Sequence, residues 1–329
     1  MADRGLGNNF IADLKNGLLK PLLLLVKADN TLMLAIRDNY INIYYRGGNL
    51  LKLTCKGDGQ YKAEFNWQYA ENWPLEVNSF LFAKDEITIL KERLSKNGIL
   101  ETAEQVKLWL AAFPRLKQIM DIWLAKYDKS EREFQQLVVR ENNYSSLANQ
   151  TDYFIVDIEA AYPGARFDLL AAKWPATQRA RRNDQVNLAF IEMKYGEKSL
   201  TGGAGLTKHL EDIEKFITAS EQLPSLCRIV TQQLTQLNDL GLLKHTRTDN
   251  RNFEFIEGKP EVILLLASYP HQSQRLRELF EKEKKELERY ANHENGRFTL
   301  KFHCPRSAGY GLFYNDMTSL EQFKKIWGL

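Results

Sequence analysis

The spacing of hydrophobic residues changes twice along the chain, and these changes constrain the fold more than any other feature of the sequence. Between about residues 18 and 69, short segments rich in aromatic and β-branched residues alternate with turn signals such as Gly47-Gly48-Asn49. Short strands joined by tight turns pair with their neighbours, so this spacing predicts an antiparallel β-meander. The predicted strands are Leu22–Val26, Leu32–Ile36, Tyr40–Tyr45, Leu50–Thr54 and Tyr61–Trp67.

From about residue 85 to residue 142 the hydrophobic period becomes helical, with apolar residues returning every three or four positions. Thr102 to Gln105 fits a capping box at the start of a helix, and Pro114 breaks the pattern that follows. A further helix is predicted from about Ser130 to Glu141. We interpret residues 1–84 as an N-terminal antiparallel β domain and residues 85–129 as a helical connector.

From about residue 152 onward, strand patterns alternate with helix patterns. This order favours an α/β or α+β domain in which helices flank a mixed sheet, over residues 130–329. The predicted strands are Tyr153–Ala160, Phe167–Lys173, Leu188–Tyr195, Val262–Ser268 and Phe298–His303, and the main predicted helices are Lys208–Thr218 and Ser273–Asn292.

The composition excludes several classes of protein. Of 329 residues, 44% are hydrophobic and 26% are charged, which is ordinary globular usage and excludes a wholly disordered chain. The net charge of +3 does not by itself indicate a nucleic-acid binder, so any basic surface would have to be local. Cys55, Cys227 and Cys304 form no CxxC pair, which argues against a zinc ribbon or a disulfide framework. With no long apolar run, we expect a cytoplasmic protein without a membrane partner.

An acid and a base interrupt the otherwise apolar strand that ends at Tyr195. Side chains on a strand alternate between its two faces, so Glu192 and Lys194 project to the same side. Asp168 interrupts the preceding predicted strand in the same way. Charged side chains resist burial unless they are paired or bind a metal, so we expect the three to meet at one edge of the sheet.

The chemistry of these three side chains indicates phosphodiester hydrolysis. Two carboxylates supply the hard oxygen ligands that Mg²⁺ prefers. A lysine beside them can orient or help to deprotonate an attacking water, while the cation neutralises charge that develops on phosphate. The alternative is that these residues have no catalytic role. Glu192 and Lys194 would then form a solvent-facing polar stripe on an edge strand, and Asp168 would accept hydrogen bonds at a strand end.

The pattern of Asp168, followed on the next strand by Glu192-Met193-Lys194, resembles the PD-(D/E)XK nuclease superfamily, which has the restriction-endonuclease-like fold. The resemblance covers residues 130 to about 305 and includes the order helix, strand, strand with Asp, strand with ExK, helix, strand. It implies a Mg²⁺-dependent (or Mn²⁺-dependent) endonuclease, with DNA as the substrate. It further implies metal ligation by Asp168, by Glu192 and by the Met193 carbonyl, and an additional acid, Glu131 or Glu133, on the preceding helix.

Further residues are candidates for nucleic-acid contact. Arg179, Arg181 and Arg182 lie at the predicted hairpin tip between the two acidic strands, where they could grip phosphates or simply form a solvated turn. His209 opens the helix after the ExK strand, a place where some family members carry an extra site residue. The resemblance also allows a homodimer. The alternative functions are a catalytically inactive nucleic-acid-binding or scaffold protein that keeps the fold, and an α/β protein in which the motif is accidental.

Overall fold

The computed structural model of the chain divides into two units, Arg4–Gln136 and Leu137–Leu329, which are described separately. This boundary differs from the predicted division into three segments, because the helices after residue 84 cluster with the N-terminal sheet. The residues described are 4–57, 59–71, 84–162, 164–177, 180–197, 199, 205–246, 252–256, 258–270, 273–291, 296–305 and 309–329.

The N-terminal unit is built on an antiparallel sheet with the strand order β1-β2-β3-β4-β5, so the predicted meander is confirmed. Each strand pairs with the next along the chain, as tight turns require. The elements are α1 (Asn8–Lys15), α2 (Lys20–Ala28), β1 (Leu32–Ile36), β2 (Tyr40–Tyr45), β3 (Gly48–Gly57), β4 (Gln60–Glu64), α3 (Lys84–Lys96), β5 (Ile99–Leu100), α4 (Ala103–Lys126) and the first half of α5 (Ser130–Asn143).

The predicted first strand, Leu22–Val26, is wrong, because it lies within helix α2. Leu22, Leu23 and Val26 are buried and Leu24 is exposed, which is the spacing of a helix face and not the alternation of a strand. Pro21 lies in the first turn of the helix, where its missing N–H costs nothing. A run of leucines fits a buried helix as well as a strand, and leucine has the higher helix propensity.

Two other local predictions need correction in this unit. Strand β4 ends at Glu64, and Trp67 begins a 3₁₀ turn, so the predicted strand Tyr61–Trp67 is too long. Helix α4 continues through Pro114 to Lys126, although proline removes one backbone hydrogen bond there. The residues on both sides of Pro114, Phe113 and Leu116 among them, are buried, and this packing offsets the local cost.

The C-terminal unit contains a mixed six-stranded sheet. Its order is β11-β10-β8-β7-β6, with β9 paired to β8. Strands β6, β7 and β8 are antiparallel neighbours, whereas β10 runs parallel to both β8 and β11. The elements are β6 (Tyr153–Tyr162), β7 (Ala165–Lys173), β8 (Gln185–Tyr195), α6 (Thr207–Thr218), α7 (Gln222–Asp239), β9 (Glu254–Phe255), β10 (Glu261–Ala267), α8 (Gln274–Lys282), α9 (Lys284–Ala291), β11 (Thr299–His303) and α10 (Leu320–Trp327).

The centre of this sheet is apolar. Every residue of β10 is buried, as expected of a strand with a parallel neighbour on each side. Helix α6 packs on the sheet through Phe216, whose ring lies 5.0 Å from that of Phe167 on β7. The predicted helix Ser273–Asn292 is divided at Glu283 into α8 and α9, and Asn292 lies outside the described residues. The mixed α/β class is confirmed, and no helix in the described part of the chain is long and apolar enough to cross a membrane.

Candidate active site

Strands β7 and β8 separate from each other where the predicted site residues lie. The last pair of their ladder is Leu169 with Ile191, whereas β8 continues beside β10 as far as Tyr195. Asp168 is the next residue of β7, and its Oδ2 accepts a hydrogen bond from the backbone N–H of Met193 at 2.9 Å. A carboxylate therefore takes the place of a backbone acceptor at this opening in the sheet.

Glu192 and Lys194 are paired within β8. The Lys194 Nζ lies 2.7 Å from Glu192 Oε1, and the two residues are 8% and 3% exposed. The charge of Asp168 is close enough to raise the pKa of Glu192, so the two predicted acids belong to one cluster. The sequence therefore identified a real cluster, because the alternation of strand side chains places Glu192 and Lys194 on one side of β8.

His209, in the first turn of α6, joins this cluster. Its Nδ1 lies 3.1 Å from Glu192 Oε1, and its Nε2 lies 3.3 Å from Lys194 Nζ. A lysine ammonium can only donate, so Nε2 accepts from Lys194, and the proton of the neutral ring is on Nδ1, the nitrogen that lies nearest Glu192 Oε1. His209 was predicted as a nucleic-acid contact, and the structure gives it two partners inside the acid–base cluster.

The surroundings of the cluster favour the neutral form of His209 and disfavour the ionised form of Glu192. Burial, followed by the charge of Asp168, raises the pKa of Glu192 well above its ordinary value, against the opposing effect of Lys194. Burial and the nearby Lys194 charge lower the pKa of His209. A cation placed beside Asp168 and Glu192 would relieve the repulsion between their carboxylates.

The position of His209 depends on a carboxylate from a distant part of the chain. Glu283, between α8 and α9, accepts hydrogen bonds from the backbone N–H groups of Leu206 at 2.9 Å and Thr207 at 2.7 Å. These are donors at the N-terminus of α6 that have no partner within the helix. Gly205 has φ +56°, and a Cβ there would lie 2.0 Å from Glu283 Oε1, so glycine lets the carboxylate approach. No sequence signal connects Glu283 with a helix 76 residues earlier.

The donor set fits a hard divalent cation only in part. Asp168 and Glu192 supply carboxylate oxygens of the kind that Mg²⁺ prefers. The predicted contribution of the Met193 carbonyl stays a prediction, and the Met193 side chain is fully buried. Among the described residues, no three histidine, cysteine, aspartate or glutamate side chains are grouped as a metal-binding set. A cation would therefore need backbone, water or substrate oxygens as further ligands.

The two candidate helix acids lie in the first turn of α5, within the N-terminal unit. The Glu133 carboxylate already has a partner in that unit, because its Oε1 accepts from Arg46 Nε at 3.0 Å. Arg46 also pairs with Asp121 at 2.8 Å. Glu133 therefore belongs to a structural ion-pair network. Glu131 has partners of its own, and its predicted metal-binding role stays a prediction.

Of the predicted arginine cluster, the described Arg181 is buried and does not contribute to a phosphate-binding surface. Arg181 is 4% exposed, and its guanidinium donates to the carbonyls of Thr151 at 2.6 Å and Asn149 at 2.8 Å. Its guanidinium also lies 5.0 Å and 5.2 Å from the ring centroids of Phe154 and Trp174, so the expectation for Arg181 is corrected to a structural role. Arg182 is exposed, and Arg179 lies outside the described residues.

The hairpin tip is also at the far end of the ladder. The connection between β7 and β8 follows the pair Lys173–Asn187, four register positions from Leu169–Ile191. At about 3.3 Å per residue this is roughly 13 Å. Asp168 is near the start of β7 and Glu192 is near the end of β8, so the tip that joins these strands cannot lie beside the acids.

Comparison of the chain with protein-family models, with curated proteins and with solved structures found no match.

Proposed function

We propose that the C-terminal unit is a metal-dependent nuclease that hydrolyses phosphodiester bonds, and that DNA is its substrate. The observation that carries the proposal is the meeting of Asp168, Glu192 and Lys194 where strands β7 and β8 separate. A buried acid with a raised pKa beside a buried base, at the point where two strands separate, is typical of catalytic sites.

The order of elements gives further support. A helix, three antiparallel strands, two helices, the short strand β9 and strand β10 follow each other from α5 to β10. The resemblance to PD-(D/E)XK nucleases implies this order with one helix in place of the two and without β9. We infer a restriction-endonuclease-like arrangement from it, and the activity is argued from the residues of the site.

Each residue has a role in the proposed reaction. Asp168 and Glu192 would hold Mg²⁺ or Mn²⁺, and the cation would neutralise negative charge on the phosphate as the bond breaks. The Lys194 ammonium, kept in place by Glu192, would orient the attacking water for in-line displacement at phosphorus. His209 Nδ1 lies 3.1 Å from Glu192 Oε1, so the ring would limit the directions in which that carboxylate can turn.

The first test is cleavage of a substrate panel by the full chain. Plasmid, linear duplex, single-stranded, branched and RNA substrates would be incubated with Mg²⁺ or Mn²⁺, with and without chelator. We expect cleavage that requires the metal and that falls by about 100-fold or more in Lys194→Ala, since the water would lose its orienting group.

Lys173→Ala is a matched control for this variant. Lys173 is also a largely buried lysine paired with a glutamate, Glu261, at 2.7 Å, but it lies at the other end of β7. Cleavage that survives in Lys194→Ala, or is lost equally in both folded variants, would contradict the proposed role. Metal-independent binding of nucleic acid with no cleavage would favour the alternative, a catalytically inactive nucleic-acid-binding protein.

A further inference from the structure

The hairpin of β6 and β7 forms the rim of the opening that contains Asp168. The first residue of β7 that pairs with β8 is Leu169, whereas β7 is already paired with β6 from Ala165, next to the hairpin turn. Residues 165–168 and the facing residues of β6 therefore form a two-stranded extension beside the acid cluster. The hairpin turn that lies at the site's end of the sheet is this one, and not the turn that carries Arg181 and Arg182.

Arg166 is two residues before Asp168 on this extension. Its guanidinium pairs with the carboxylate of Glu159 on β6, and 58% of the Arg166 side chain is exposed against 17% of the Glu159 side chain. The acid is thus the inner member of the pair and the guanidinium the outer member. An arginine held by one carboxylate keeps further N–H donors, because the guanidinium has five.

Glu159 has an unusual backbone conformation that supports a special role for this part of the hairpin. Its register position is opposite Asp168, between the pairs Ile158–Leu169 and Ala160–Phe167. Its φ is +48°, in the left-handed region that non-glycine residues seldom adopt within a strand. Such conformations persist where the surrounding structure enforces them, and they cluster at functional sites.

The charges around the opening leave a role for an exposed cation. Asp168, Glu192 and Glu159 are acidic, and Lys194 is buried against Glu192. A polyanionic strand approaching these acids needs a cation at the rim, and a guanidinium binds phosphate oxygens in a bidentate manner. We infer that Arg166 binds a backbone phosphate of the nucleic acid beside the scissile bond. This inference rests on the proposed function, because it names the nucleic-acid contact of the same site.

The test measures binding separately from cleavage. Fluorescein-labelled single-stranded and duplex DNA would be titrated with the full chain by fluorescence anisotropy, in EDTA and at several salt concentrations. We expect Arg166→Ala to weaken binding about tenfold and to reduce the salt slope by about one, as for the loss of one phosphate contact. Arg166→Lys should keep most of the salt slope while losing affinity, because the charge stays and the bidentate geometry is lost.

Arg297→Ala is the matched control, since Arg297 is an exposed arginine two residues before β11, whose first pair, Thr299 with Glu261, lies at the end of the sheet away from Asp168. It should bind within about twofold of the unaltered chain. Equal binding by Arg166→Ala and the unaltered chain, equal weakening by both alanine variants, or no binding of any probe would overturn the inference. Binding that depends on Arg166 without metal-dependent cleavage would overturn only the proposed activity.

Discussion

The burial of Glu192 carries an electrostatic cost. Glu192 is 3% exposed and has a second carboxylate, Asp168, as a neighbour, and both facts disfavour its charged form. Lys194 lowers this cost by donating to Glu192 Oε1, and the Nδ1 of His209 lies 3.1 Å from the same oxygen. A chain under selection for stability alone gains little from such a group, and this is why its presence supports a site.

His303 offers a pH-dependent prediction at the scale of one residue. It is buried on β11, its Nε2 has no hydrogen-bond partner in the described part of the chain, and burial lowers its pKa. When the pKa of a histidine is lower in the folded state than in the unfolded state, acid protonates the unfolded chain first. The stability is therefore fully present above the pKa of the unfolded state and is lost as the pH falls below it. Below about pH 6.5 the unfolding free energy should fall by up to about 1.4 kcal/mol per pH unit from this group.

Urea unfolding at several pH values, for the unaltered chain and for His303→Gln, would measure this effect. Glutamine cannot titrate, so the difference in unfolding free energy between the two proteins should shrink as the solution is acidified. A difference that stays constant between about pH 7.5 and about pH 5.5 would mean that His303 does not resist protonation in the folded state.

At the scale of elements, helix α6 is held in place by its capping carboxylate. Glu283 supplies an acceptor and a negative charge at the helix N-terminus, where the orphan N–H groups and the helix dipole both favour an anion. His209 lies in the first turn of that helix. The cap therefore fixes the end of α6 from which the acid–base cluster is completed.

Glu283→Ala should destabilise the protein by about 1 kcal/mol, because two backbone donors of α6 lose their acceptor. Glu281→Ala is the control, since Glu281 is exposed on the same helical segment, and it should change stability by less than about 0.5 kcal/mol. Thermal or urea unfolding measures both values. Hydrogen exchange should also accelerate at the start of α6 in Glu283→Ala, and unchanged exchange there would contradict the capping role.

The strands that carry the site were predictable because local alternation places their side chains. Tyr153–Ala160, Phe167–Lys173 and Leu188–Tyr195 each lie within an observed strand. The prediction that the tip between β7 and β8 lies beside the site is wrong, because the tip is at the other end of the ladder. Asp168 lies near the start of β7 and Glu192 near the end of β8, so the turn at their end of the sheet is the one beside Arg166 and not the one beside Arg181.

At the scale of the whole molecule, a bound cation should stabilise the fold through its site. Mg²⁺ that binds the folded chain and not the unfolded chain raises the melting temperature, by a few degrees at about 100 times the dissociation constant. We expect this rise in the unaltered protein, reversed by EDTA, and its loss in Asp168→Asn and Glu192→Gln. Differential scanning fluorimetry or calorimetry would measure the rise.

Glu261→Gln is the control for the two acid variants, because Glu261 is another buried acid, paired with Lys173 and Tyr153 at the other end of β7. Its response to Mg²⁺ should match that of the unaltered protein. A melting temperature that rises equally in all the variants would show that the cation binds somewhere other than Asp168 and Glu192.

The local period of the sequence was sufficient for the meander, for the three strands that carry the site and for the pairing of Glu192 with Lys194, because side-chain direction in a strand depends only on position along it. It was insufficient for Leu22–Val26, because a run of leucines fits either a helix or a strand, and the segment is buried as a helix.

Three further features depend on contacts between residues far apart in the chain: the burial of Arg181, the approach of His209 to Glu192, and the cap that Glu283 forms on α6. Only packing brings such groups together, since no local preference records which distant side chain will fill a given space.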